Sequence, residues 1–177
     1  MKMLKKLLAV VLTGAMALTL FTACGSNAVR DKDIADALNN IVKLNDSEVT
    51  FTPRAKEREM AQKVAALLES HSEDDSNSAE LSAKIQGILG IDQGGVNENN
   101  FVWVQNALTD KLGAEGQAFQ VMESLTDKGG AYNFSNLGSK EPADTRYMGT
   151  ALCKIPDQKD NLVTVRVIVV TAKAEDE

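Results

Sequence analysis

Histidine occurs once in this 177-residue chain, as His71, and cysteine twice, as Cys24 and Cys153. That scarcity removes most of the groups on which nucleophilic and metal-assisted catalysis draw. There is no Gly-x-Ser-x-Gly elbow, no Walker loop, no Gly-x-Gly-x-x-Gly and no His-Glu-x-x-His. A Ser-His-Asp triad would have to recruit His71 from a polar loop. A Cys153–His71 pair is conceivable by composition, but a strand position beside Leu152 is a poor electropositive setting for a thiolate. Basic charge is short as well: 19 Lys+Arg stand against 25 Asp+Glu. Nucleic-acid binding depends on Lys and Arg neutralising phosphates, so nucleic acid is not an expected partner. Docking on anionic lipid through a basic patch is disfavoured on the same ground.

What the chain does have begins at its first residue. Met1-Lys2-Met3-Leu4-Lys5-Lys6 carries three lysines and no acid, and Leu7 to Phe21 follows as an uncharged, mostly apolar stretch. That stretch is short for a transmembrane helix, which needs about 20 apolar residues, and fits the core of a signal peptide. Phe21-Thr22-Ala23-Cys24-Gly25 then resembles the bacterial lipobox, with Phe21 where Leu is usual. The resemblance implies a signal peptide over 1–23, a diacylglyceryl group on the Cys24 thiol and cleavage just before it. Two acyl chains anchor stably where one is marginal, so the membrane is the expected partner through lipid on Cys24, with the fold facing outside the cytoplasm. With Cys24 acylated, Cys153 has no partner within the chain and reads as a small buried hydrophobe. One histidine and one free cysteine exclude a structural His/Cys zinc cluster. The three signal lysines also leave with the leader, so the mature chain carries 16 basic against 25 acidic residues, a net charge of −9.

The mature chain has the length of one domain. Residues 24–29 read as a short lipidated tether and 30–174 as a single α+β domain. A first helix is expected from about Arg30 to Leu44, where Ile34, Leu38, Ile41 and Val42 recur at helical spacing and Asp31 and Asp33 suit the first turn. For a second helix, Thr52 offers a cap, Pro53 a first position, and Met60, Ala61, Val64, Leu67 and Leu68 an apolar stripe ending near Ser70. A polar loop follows over 71–78. Ser78 opens a third helix bearing Leu81, Ile85, Ile88 and Leu89, closed by Gly90. Phe101-Val102-Trp103-Val104 predicts a strand at about 100–106 with Trp103 in the core, and a fourth helix is expected over 114–125 with Ala118, Phe119, Val121, Met122 and Leu125 inward. The clearest β signal is a hairpin, Tyr147–Ile155 and Leu162–Thr171. In its second strand Leu162, Thr164, Arg166 and Ile168 share one face, and Val163, Val165, Val167 and Val169 the other. Helices followed by a terminal hairpin predict an antiparallel sheet covered by about four helices.

This order of elements resembles the CAP or SCP-like superfamily of cysteine-rich secretory and pathogenesis-related proteins over nearly the whole mature chain. Leu44-Asn45 and Arg58–Ala65, with Ala61 and Ala65, are similar to its first landmarks, and His71-Ser72 and Asn97-Glu98-Asn99 to the next. Val121–Asp127 keeps Ser124 but has Val121 for a tryptophan and Asp127 for a histidine, and Tyr147-Met148-Gly149 is similar to its Gly-containing strand. The resemblance implies an α-β-α sandwich with a cleft that His71, Glu98 and Asp127 would line. With one imidazole lost, no metal is assigned and no cofactor is expected, because zinc favours nitrogen and sulfur ligands.

Each of the three has a plainer role as well: His71 solvated in an acidic loop, Glu98 shaping a turn, Asp127 a surface charge. The leading functional expectation is a membrane-anchored, non-catalytic binding or interaction module for a small apolar ligand, a peptide or an envelope component. The alternative is a degenerate metal-dependent or hydrolytic enzyme using the His/Glu/Asp cleft.

Overall fold

A computed structural model describes residues 29–45, 47–70, 78–91, 100–109, 112–126, 140–157 and 160–176. Its elements run in the order α1 (Asp31–Leu44), β1 (Thr50–Pro53), α2 (Ala55–Ser70), α3 (Ser78–Leu89), β2 (Asn100–Thr109), α4 (Ala114–Thr126), β3 (Lys140–Pro156) and β4 (Leu162–Asp176). The fold is α+β, with four helices among the described residues on a four-stranded sheet of order β1-β3-β4-β2. The expected hairpin is its centre, with Thr150 opposite Ile168 and Pro156 opposite Leu162.

Two expectations are corrected by β1. Thr52 and Pro53 do not open α2; they lie in a four-residue strand that runs parallel to β3, with Thr50 opposite Thr145 and Pro53 opposite Met148. The sheet is therefore mixed rather than wholly antiparallel. Burial of Phe51 between exposed Thr50 and Thr52 gives this short strand its alternation, and Pro53 suits its last position, where no further ladder bond is required. Arg54 N–H donates to Met148 O at 2.8 Å, and the helix starts at the next residue. β3 also begins seven residues before Tyr147, at Lys140, with a register irregularity between Pro142 and Arg146. That irregularity breaks the alternation from which a strand is read.

The strict alternation of β4 sorts the core onto two faces. Ile168 and Val170 point to one, where they join Ile34 and Leu38 of α1, Ala118 and Val121 of α4, Phe51, Met148 and Trp103. Val165, Val167 and Val169 point to the other, with Ala61 and Val64 of α2, Ile85 and Leu89 of α3, and Cys153. Two helices thus cover each face. Phe119, expected inward, is 63% exposed, because α4 buries Ala118, Val121 and Leu125 and a neighbouring position is turned about 100° away from that stripe. Gly90 ends α3 at φ 67°, a left-handed conformation that glycine adopts without strain.

The tightest junction is between α2 and β3. A Cβ built on Gly149 would lie 1.9 Å from the backbone nitrogen of Arg58, so only glycine lets the first turn of α2 approach the strand this closely.

Candidate functional site

Cys24, His71, Glu98 and Asp127 all lie outside the described residues. Their described neighbours can be placed. Ser70, just before His71, ends α2 beside the hairpin tip, where the Glu69 carboxylate accepts from Lys154 N–H at 2.9 Å, and Lys154 pairs with Thr164. Asn100, two residues after Glu98, pairs with Lys173 near the other end of β4. Thr164 and Lys173 are separated by about 30 Å of strand at ~3.3 Å per residue.

What the structure does bring together is a pair of polar clusters around the start of α2. In the first, the wholly buried Glu57 accepts from Arg54 Nε at 2.6 Å, from Arg54 Nη2, and from Thr171 Oγ1 at 2.7 Å. The Arg54 guanidinium also lies 3.8 Å above the Tyr147 ring centre. Burial pushes the Glu57 carboxyl upward, but the hydrogen bonds from Arg54 and Thr171 outweigh it and hold the group below the ordinary carboxylate range. In the second cluster, Asp31 accepts from Thr150 Oγ1 at 2.5 Å and from Arg58 Nε at 2.7 Å. Thr150 Oγ1 in turn accepts from Arg166 Nη1 at 2.9 Å, and Arg166 Nη2 donates to Val29 O at 2.8 Å.

Position in the sheet explains why the second cluster forms. β1 pairs with β3 only as far as Met148. Beyond that point no described strand pairs with β3 on that side, and Arg58 reaches from α2 to Asp31 at the head of α1. A buried carboxylate and a buried guanidinium are tolerable because each has charged or hydroxyl partners. Sequence reading did not single these residues out as a set, although two signals were present. Glu57 falls in phase with Ala61 and Val64 on the buried stripe of α2, and Asp31 in phase with Ala35 and Leu38 on that of α1. Charges on buried stripes need partners, but pattern alone does not say which.

Cys153 is 2% exposed, and burial, aided by the Glu69 carboxylate, pushes its thiol up to about 11. It is protonated and inaccessible at neutral pH, as its strand setting predicts. At the head of α1, the half-buried Asp33 accepts from the Arg30 guanidinium and the Arg30 N–H, which brings its carboxyl down to about 2.

The hairpin tip is covered on one side only. On the face under α2 and α3, Cys153 and Val165 are buried, with Ile155 and Val163 packed against them. On the opposite face, at the same level, Leu152 is 38% and Leu162 70% exposed. Among the described residues no group of three or more His, Cys, Asp and Glu side chains is arranged to hold a metal ion, and no helix is long and apolar enough to cross a membrane. Comparison with family models, curated proteins and solved structures finds no match for the chain.

Proposed function

We propose that this chain is an extracytoplasmic lipoprotein, held on a membrane by lipid on Cys24, whose folded part is a non-catalytic binding or interaction module of CAP-like build. The observation that carries the anchor is the tripartite leader ending in Phe21-Thr22-Ala23-Cys24-Gly25. The sandwich reading is supported by two helices on each face of a sheet whose centre is the C-terminal hairpin. A binding role is favoured over catalysis because, among the described residues, the two buried carboxylates are already engaged, Glu57 by Arg54 and Thr171 and Asp31 by Arg58 and Thr150. The enzymatic alternative needs His71 and Glu98 to meet, whereas their described neighbours lie at the levels of Thr164 and Lys173, which are about 30 Å apart along β4. Candidate ligands are those that the CAP resemblance implies: a small apolar molecule, a peptide or an envelope component.

The test is a Cys24→Ala precursor expressed in a bacterium that processes lipoproteins. It is expected to lose acylation and cleavage and to leave the membrane fraction. Tight retention after a high-salt wash overturns the anchor. For the module, His71→Ala is expected to leave any ligand affinity within about twofold, since an interaction that is merely solvated contributes close to nothing; complete loss would restore the cleft reading.

A further inference from the structure

We infer that the bare face of the β3–β4 tip is a membrane-docking surface, which seats the domain on the outer lipid layer of the bilayer that holds its anchor. The inference rests on the lipoprotein reading above and adds to it a specific orientation.

Three observations carry it. First, the tip is one-sided: α2 and α3 cover Cys153 and Val165, while Leu152 and Leu162 on the opposite face are exposed. Leu152 lies opposite Arg166 and Leu162 opposite Pro156, so both belong to one continuous stretch of that face, with exposed Lys154 between them along the tip. Second, the chain enters the fold beside this stretch. Val29 O is bonded by Arg166 Nη2 at 2.8 Å, which fixes the start of the domain across from Leu152. Third, the tether is short. Cys24 precedes Val29 by five residues, a reach of at most about 17 Å, and Leu162 lies four residues along β4 from Arg166, about 13 Å. An acylated Cys24 therefore keeps the lipid surface within the span of this face, whereas Lys173, seven residues along β4 from Arg166 in the other direction, is about 23 Å away, beyond that reach.

The chemistry selects the same occupant. The mature chain is acidic, so it does not approach a membrane through net charge. Two leucines beside a lysine present apolar side chains to the acyl boundary while the lysine ammonium stays at headgroup level. The surface recognised is a neutral, zwitterionic bilayer.

The experiment uses the acylated protein on phosphatidylcholine vesicles that contain a lipid-bound quencher. Leu162→Cys and, separately, Lys173→Cys are labelled with an environment-sensitive thiol probe; Cys24 is blocked by lipid and Cys153 is buried. Both sites are exposed, so neither substitution threatens the core. Quenching is expected to be several-fold stronger at position 162 than at 173, and Leu152→Asp in the 162-labelled chain is expected to reduce it to the level at 173. Equal quenching at both sites, in a protein that still floats with the vesicles, overturns the docking and leaves the anchor standing. Shielding of 162 that follows protein concentration and not the lipid quencher also overturns it, by pointing to a second copy. Failure of the acylated preparation to float overturns the lipoprotein reading itself.

Discussion

Gly149 and Glu57 show how much single side chains decide in this fold. A methyl group at 149 would collide with backbone, which cannot rotate away as a side-chain tip can. Gly149→Ala is therefore expected to displace the first turn of α2 and to cost about 3 kcal/mol, within the range for overpacking a tight contact. A fall in the urea midpoint at unchanged slope would register it. For Glu57 the sign follows from its depressed pKa. A carboxyl whose pKa is lower in the folded than in the unfolded chain adds stability above the unfolded value, about 4.3, and that contribution is lost as pH falls through the folded value. Wild-type stability is expected to drop below about pH 4. Glu57→Gln should start lower at neutral pH, by roughly 1–3 kcal/mol, because Glu57 is buried while its partner Arg54 is partly exposed and water screens the pair, and should show a flatter acid limb. Chemical denaturation from pH 7 to pH 3 checks both. Glu57 lies in phase with the buried stripe of α2, a signal the sequence reading did not use, and its partners Arg54 and Thr171 come from a helix start and a distant strand. No local periodicity links them.

Among the elements, the helices and the hairpin were legible because each carries its own periodicity. The stripe of α1, the stripe of α2 from Ala61 onward and the alternation of β4 are all visible in the chain and all present in the fold. β1 was not legible. Four residues, one a proline, are too few to establish a period of two, and Thr52-Pro53 makes an equally good helix start. What makes them a strand is a partner, residues 145–148, that lies far along the chain. The first helix of the pair around this strand is secured in the same non-local way, by Asn39, whose side chain accepts from Phe51 N–H at 2.7 Å and donates to Phe51 O at 3.0 Å. The seam of Asp31, Thr150 and Arg166 joins α1 to both central strands. Thr150→Val keeps the shape and removes the hydroxyl that serves both charged neighbours, so a loss of about 1–3 kcal/mol is expected from the partners left unsatisfied. Thermal unfolding of the variant, compared with Thr150→Ser, separates the lost hydroxyl from the changed packing.

For the molecule as a whole, composition was informative where it excluded and silent where it had to choose. It argues against nucleic acid and histidine-rich metal chemistry, and the proposed leader carries the proposal of where the protein resides. The proposed cleft could not be read with the same force, because His71, Glu98 and Asp127 are joined only by a resemblance in order. Order along the chain does not fix distance in space. The stretches next to His71 and Glu98 illustrate this: they are neighbours in the list of landmarks and stand at opposite ends of a strand.

The sheet order has a consequence for how the chain can be made. β3 and β4 occupy the middle of the sheet and follow the other described elements along the chain. Until they arrive, β1 and β2 have no partner among the described strands, so the described elements before β3 can form helices but no sheet for them to cover. Contacts between such distant segments form slowly. A chain ending at Asn161 is expected to show no cooperative unfolding transition by circular dichroism, whereas one ending at Asp176 should match the full protein. Under the lipoprotein proposal the same delay suits passage through a translocation channel, because the sheet cannot close before β4 has followed the helices across.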